Sequence, residues 1–321
     1  MAGSRNASAW TLPLALLLAG LFISSFFVPF REKTEEWIPL LSGFVDVEAF
    51  YLSRAWLAAG GILSIFLLIV PLYFINSRAL SKSFRIYYTL LFCMLVILVN
   101  PMSVYFSTIY PAAICITWMQ YCLIIRQRFI AFLLLSLASL FYAPVMWAIP
   151  VVLAVSLIGT PDIFRAFLKC MGGLLIPYIY LFSFRYIYFN DTEVFIQQYL
   201  QEMIKIEIPV YSLSFTNIFV VICFLIITLH AVFAILGKLG RQSILTGHIL
   251  KTELVTFLLG AIIFALFWGV TSLPLCVLLA PTVALLLSNY FTQDKVSRAA
   301  RAELILLMGA VAVARAAYFM N

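Results

Sequence analysis

FIAFLLLSLASLFYAPVMWAIPVVLAVSLIG, residues 129–159, holds no charged side chain, and its reading sets the direction of everything after it. As one continuous helix it would carry Arg165 and Lys169 to the opposite side of a membrane from Arg126 and Arg128. Every later basic loop would flip with them. As two helices it keeps all four residues on one side. Pro144 favours two. It lacks an N–H and clashes with the preceding helical turn, so a helix arriving as LFYA ends there in a tight turn. NPMS at 100–103 breaks the third and fourth apolar runs in the same way.

With that break and the N-terminus inside, the basic residues sort by face. Arg5, Arg78, Lys82, Arg85, Arg126, Arg128, Arg165, Lys169, Lys238, Arg241, Lys251, Lys295, Arg298 and Arg301 fall inside, fourteen of the 20. Arg31, Lys33, Arg54, Arg185, Lys205 and Arg315 fall outside. Short basic loops gather on the cytoplasmic face of membrane proteins, so the sorting supports the break.

Only 10% of the 321 residues are charged and 65% are hydrophobic, where a soluble domain carries roughly 25% charged residues. The fold class is therefore all-α: a polytopic transmembrane helical bundle forming a single domain over 1–321. A β-barrel is excluded because the apolar runs are continuous, not alternating. Eleven spans are expected near 10–30, 55–75, 86–100, 103–125, 129–142, 144–159, 166–189, 213–237, 252–270, 274–291 and 302–318. A straight span needs about 20 residues, so the third, fifth, sixth and eleventh are short. The first run has no A-x-A-type site after it and reads as an uncleaved helix. The net charge of +7 lies in clusters between spans, which marks topology and not nucleic-acid binding. The six cysteines all lie in apolar runs, as small packing residues do.

Nine of the 13 acidic residues fall in two outer loops, 31–54 and 190–212. In the second, NDTEVFIQQYLQEMIKIE alternates the apolar pairs Phe195/Ile196, Tyr199/Leu200 and Met203/Ile204 with glutamine-rich polar pairs. That period predicts an amphipathic surface helix over 193–205, started by Asp191 or Thr192. Tyr186, Tyr188 and Phe189 before it fit an aromatic belt.

Candidate functional residues lie on the same outer face. Asp46 and Glu48, in LLSGFVDVEAFYLSR (40–54), have two readings. They complement the N-terminal dipole of the second span, or they form an exterior active-site pair in which a carboxylate takes a proton from an acceptor hydroxyl. Arg54 and Arg185 either reach the interface as cations or bind a lipid phosphate. Arg315 reads as a cation snorkelling to the interface. Asn100, Tyr105 and Tyr110, in VNPMSVYFSTIYPAA (99–113), form a polar outer turn or one wall of an outward pocket. His230 and His248 stand too far apart in the chain to build a four-histidine iron site or a zincin site, and a lone span histidine reads as a hydrogen-bonding group within the bundle. No Walker or GxGxxG loop occurs. No metal or cofactor is expected.

The stretches LASLFYAPVMWAIPVVLAV (137–155) and LLAPTVALLLSNYF (278–291) resemble a bacterial family of polytopic inner-membrane proteins of unassigned activity. A second resemblance covers the first half of the chain: an exterior loop with an acidic pair, a hairpin opening NPMSVYF, an R-x-R turn and a LASL…P hairpin. It is similar to the first half of the GT-C glycosyltransferases, which use polyprenyl-phosphate sugars. The resemblance implies that Asp46 or Glu48 serves as catalytic base, that Arg54 and Arg185 meet the donor phosphate, and that membrane lipids and a polyprenyl-phosphate-linked sugar are partners. A transporter or flippase, or a non-catalytic assembly subunit, is the alternative.

Overall fold

The computed structural model describes residues 3–27, 54–79, 83–107, 109–158, 160–204, 215–237, 244–271, 276–291 and 298–320. Twelve α-helices occur among them: α1 (Gly3–Ser25), α2 (Arg54–Ala79), α3 (Ser83–Leu98), α4 (Ile109–Ile124), α5 (Arg128–Phe141), α6 (Ile149–Leu157), α7 (Ile163–Tyr188), α8 (Thr192–Ile204), α9 (Phe215–Leu236), α10 (Ile244–Thr271), α11 (Cys276–Phe291) and α12 (Arg298–Met320). Two 3₁₀ turns, Pro101–Val104 and Ala143–Ala148, interrupt them, and the described residues include no strand.

The all-α class holds. Three segments are long and apolar enough to cross a membrane: Ala55–Ser77, Ile163–Tyr188 and Phe219–Leu236. Their outward faces stay apolar, with Leu63, Phe66, Ile176, Ile179, Ile226 and Phe233 all exposed. Large apolar side chains exposed in belts fit hydrocarbon and not water. At the centre, α11 buries 12 of its 16 residues, so it is enclosed on all sides. It packs against α2, α3, α4, α9 and α10.

Polar contacts fix the directions of the helices. At one end, Arg315 of α12 donates to Ser25 Oγ at the close of α1 (3.1 Å) and to the Leu98 carbonyl at the close of α3 (2.5 Å). The Phe106 N–H donates to the Leu57 carbonyl near the start of α2 (2.8 Å). At the other end, Asn76 of α2 donates to Thr89 of α3 (2.9 Å), and Thr89 donates to Ser288 of α11 (2.8 Å). Phe74 of α2 lies against Trp118 and Tyr121 near the close of α4, with centroids 5.9 and 5.8 Å apart. So α1, α3 and α12 run toward the first end, and α2, α4 and α11 run away from it.

The 129–159 stretch breaks where its proline requires. Helix α5 stops at Phe141, Tyr142 is extended, and Pro144 sits early in the 3₁₀ turn. The chain then reverses. Near the start of α5, the Phe129 carbonyl abuts Gly173 of α7; near its close, Ser139 hydrogen-bonds Tyr178 of α7. Ser156, at the close of α6, returns to within 3.7 Å of Cys170. Arg126, Arg128, Arg165 and Lys169 therefore share an end, called here the basic end; both 3₁₀ turns mark the other, the turn end. Between α4 and α5, Arg126 takes the left-handed φ of 62°. The Gln127 N–H reaches the Cys122 carbonyl (2.8 Å) and the Arg126 N–H the Leu123 carbonyl (3.1 Å), the bonding of a Schellman cap.

Several expected boundaries move. Helix α4 begins at Ile109 and not near 103, because residues 101–104 form the 3₁₀ turn. Helix α10 begins at Ile244, eight residues before the apolar run, and α1 begins at Gly3. A helix continues through polar residues wherever its backbone bonds are satisfied, so hydropathy marks the buried part and not the ends.

Two glycines permit the closest approaches. A Cβ on Gly61 would stand 2.1 Å from the Val104 carbonyl oxygen, and one on Gly173 2.2 Å from the Phe129 carbonyl oxygen. Gly61→Ala and Gly173→Ala should each destabilise by about 1–3 kcal/mol. Gly20→Ala, with nothing within 4 Å, should be neutral or gain up to about 1 kcal/mol. Thermal melting of the three purified variants in one detergent checks the ranking.

Candidate functional site

The turn end gathers most of the candidate residues. Pro101 opens the first 3₁₀ turn, the Ser103 N–H donates to the Asn100 carbonyl (3.1 Å), and the Tyr110 hydroxyl donates to the Ser103 carbonyl. Asn100, Tyr105 and Tyr110 are 4%, 2% and 1% exposed. They are packed into the bundle and form the body of the turn. Gly61 and the Phe106–Leu57 hydrogen bond seat this turn on the first turns of α2, which Arg54 opens. The structure thus brings Tyr105, with Val104 and Phe106, against the helix that carries Arg54, and Asn100 and Tyr110 brace the same turn.

Asp46 and Glu48 lie outside the described residues. The described residues on either side, Phe27 and Arg54, both sit at the turn end.

Arg185 forms a separate cluster. One terminal nitrogen donates to Asp191 Oδ2 at 2.6 Å, and the guanidinium stands over the rings of Phe195 (4.4 Å) and Phe189 (5.1 Å). Asn190 takes a left-handed φ of 52°, and its N–H donates to the Arg185 carbonyl (3.0 Å), so α7 folds sharply into α8. Arg185 Nε, Asp191 Oδ1 and Thr192 Oγ1 are buried without a partner among the described residues. Asp191 accepts the Phe195 N–H through its backbone carbonyl (3.1 Å), while its side chain turns to Arg185 in place of capping the helix.

Helix α8 spans Thr192–Ile204, matching the amphipathic reading. Phe195 and Tyr199 are buried, and Gln197, Gln198 and Gln201 are exposed. The side chain of Met203 lies outside the described residues. The Tyr199 and Tyr178 hydroxyls are 2.9 Å apart, and Tyr178 also bonds Ser139 and, at 3.2 Å, Met146 Sδ. This hydroxyl chain fastens α8 to α5, α7 and the second 3₁₀ turn. Tyr186, Tyr188 and Phe189 are exposed beside it, as an aromatic belt requires.

Arg315 corrects the snorkelling expectation. It is 6% exposed and its guanidinium turns inward. The Leu98 carbonyl lies in the last turn of α3, where carbonyls have no intrahelical donor, and a buried guanidinium is a strong donor for it.

Glu303, Tyr290 and Glu253 went unnoticed in the sequence. His230 Nδ1 lies 2.7 Å from Glu303 Oε1, and the Tyr290 hydroxyl donates to Glu303 Oε2 at 3.0 Å. His230 is thus a hydrogen-bonding residue of the bundle, with a partner 73 positions away. Glu253 is fully buried in α10. Its signal was an acid at the edge of the apolar run TELVTFLLGAIIF. Among the described residues, no three His, Cys, Asp or Glu side chains stand together as a metal site.

Comparison with protein-family models, curated proteins and solved structures finds no match. The functional reading therefore rests on the residues themselves.

Arg315→Gln should destabilise by about 1–3 kcal/mol, because a buried carbonyl loses its charged donor; the melting temperature reads this. A cysteine placed at Tyr199 should resist a water-soluble maleimide, and one placed at Gln198 should react. Equal labelling would remove the surface-helix assignment.

Proposed function

We propose that the chain is an eleven-span protein of the bacterial inner membrane, with its basic end in the cytoplasm and its turn end outside, and that it transfers sugar from a polyprenyl-phosphate donor at the turn end. The observation that carries this reading is the seating of the buried 100–110 turn on the helix that Arg54 opens. It gives a rigid platform at the end of the bundle where the described chain stops at Phe27 and resumes at Arg54, the two flanks of the segment that holds Asp46 and Glu48. The GT-C resemblance supplies the chemistry.

In this reading Asp46 takes the proton of the acceptor hydroxyl as its oxygen attacks the anomeric carbon. The bond to the polyprenyl phosphate breaks, and the leaving phosphate keeps the electron pair. Glu48 keeps Asp46 oriented. Arg54 meets the phosphate, where a cation stabilises the charge that develops on leaving. Arg185 already carries a carboxylate partner. Its part is to hold α8 against the bundle through Asp191 and the rings of Phe195 and Phe189. Membrane lipid and the lipid-linked donor are the partners this chemistry needs.

A transporter is the second reading, and one observation favours it: the buried carboxyl of Glu253 within the bundle.

Reporter fusions after residue 162 and at the C-terminus should give a cytoplasmic and an exterior signal respectively; an exterior signal at 162 breaks the topology. For the chemistry, the full chain in nanodiscs should release polyprenyl phosphate from a polyprenyl-phosphate sugar in the presence of an acceptor. Asp46→Asn should abolish release while melting like the wild type, since Asn caps a helix about as well as Asp. An active Asp46→Asn protein would leave capping as the role of the pair.

A further inference from the structure

Glu253 lies ten positions into α10, beyond the first turn, so the helix dipole does not account for it. It is 1% exposed, and neither carboxyl oxygen has a hydrogen-bond partner among the described residues. The neighbouring Lys251 is exposed.

The elements packed against α10 are α2, α4, α11 and the second 3₁₀ turn. Helices α4 and α11 and that turn contain no Asp, Glu, Lys, Arg or His. Their titratable groups are weak acids alone: Tyr110, Cys115, Tyr121 and Cys122 on α4, and Cys276 and Tyr290 on α11. Helix α2 adds Tyr73 and places Arg54 and Arg78 at its two ends, and α10 itself adds His248 and Lys251. No described ion pair includes Glu253. A second buried acceptor without a partner, Gln120 Oε1, lies on α4, which packs on α10.

A carboxylate with no cation and no donor is very costly in an apolar interior, so such a group carries a bound cation or a proton. Packing does not account for a carboxyl at this position, because a leucine would fill a similar volume without that cost. We propose that Glu253 is a proton-binding site inside the bundle, a carboxyl that holds an exchangeable proton. This inference does not depend on the turn-end reading and can fail without it.

The test uses the full chain in nanodiscs with lipid-soluble dicyclohexylcarbodiimide. A protonated carboxyl adds its O–H across one N=C bond to give an O-acylisourea. Acyl migration to nitrogen then gives a stable N-acylurea, and no atom leaves. Peptide mass mapping should find the whole reagent added at Glu253. Labelling should fall as the pH is raised, because only the protonated form reacts. Glu303, held by His230 and Tyr290, is the internal comparison and should label less. Glu253→Gln should melt at or above the wild-type temperature and lose the adduct. Three results overturn the proposal: no adduct on Glu253 at any pH, labelling that does not change with pH, or a Glu253→Gln protein that melts well below wild type. The last would mean that the carboxylate accepts essential hydrogen bonds.

Discussion

In hydrocarbon, a backbone carbonyl or N–H left without a partner has no water to turn to, so each helix end must be satisfied by the protein. That constraint shapes both ends of this bundle. Arg315 completes the end of α3 through the Leu98 carbonyl. The Phe106 N–H, left over where the chain turns, is taken by Leu57, and Tyr110 completes the Ser103 carbonyl. At the tight α4–α5 turn the same need is met by a left-handed Arg126, whose φ a glycine would adopt more cheaply.

The polar side chains follow the same logic across helices. Asn76, Thr89 and Ser288 tie α2, α3 and α11 near the basic end. His230, Tyr290 and Glu303 tie α9, α11 and α12 in the same region. Ser139, Tyr178 and Tyr199 tie α5, α7 and α8 toward the turn end. Apolar packing alone holds helices of this kind in many registers, because lipid tails compete with leucine for the same surface. A hydrogen bond between named positions selects one register. The bundle is therefore apolar in its mass and polar in what fixes its order.

Much of this was legible in the sequence. The proline break at 144, the segregation of arginines and lysines, and the paired period of 193–205 are local signals, and each corresponds to a helix end, a bundle end or a buried face. The inward turn of Arg315 was not legible, because its partners Ser25 and Leu98 lie 290 and 217 positions away. Nor was the burial of Asn100, Tyr105 and Tyr110, since a polar turn reads alike whether it faces solvent or packs on a glycine of another helix. Glu253 was the second residue of the expected 252–270 span and drew no reading, because the helices that bury it, such as α2 and α4, lie far away in the chain. Asp46 and Glu48 carry the catalytic reading on resemblance and connectivity alone.

The lengths of the inner helices bear on the lipid around them. Helices α3, α4 and α11 have 16 residues each and α5 has 14. At 1.5 Å per residue these rise only about 21–24 Å, against roughly 30 Å of hydrocarbon. The peripheral α2 and α7, with 26 residues each, rise about 39 Å and overreach the same slab. In a bilayer, lipid meets short helices such as α5, where Phe129 and Ile130 are exposed, and long ones such as α2 and α7 around the same rim, so neighbouring leaflets must thin on one side and thicken on another. Head groups beside the two 3₁₀ turns would sink by several ångströms to meet the shorter helices.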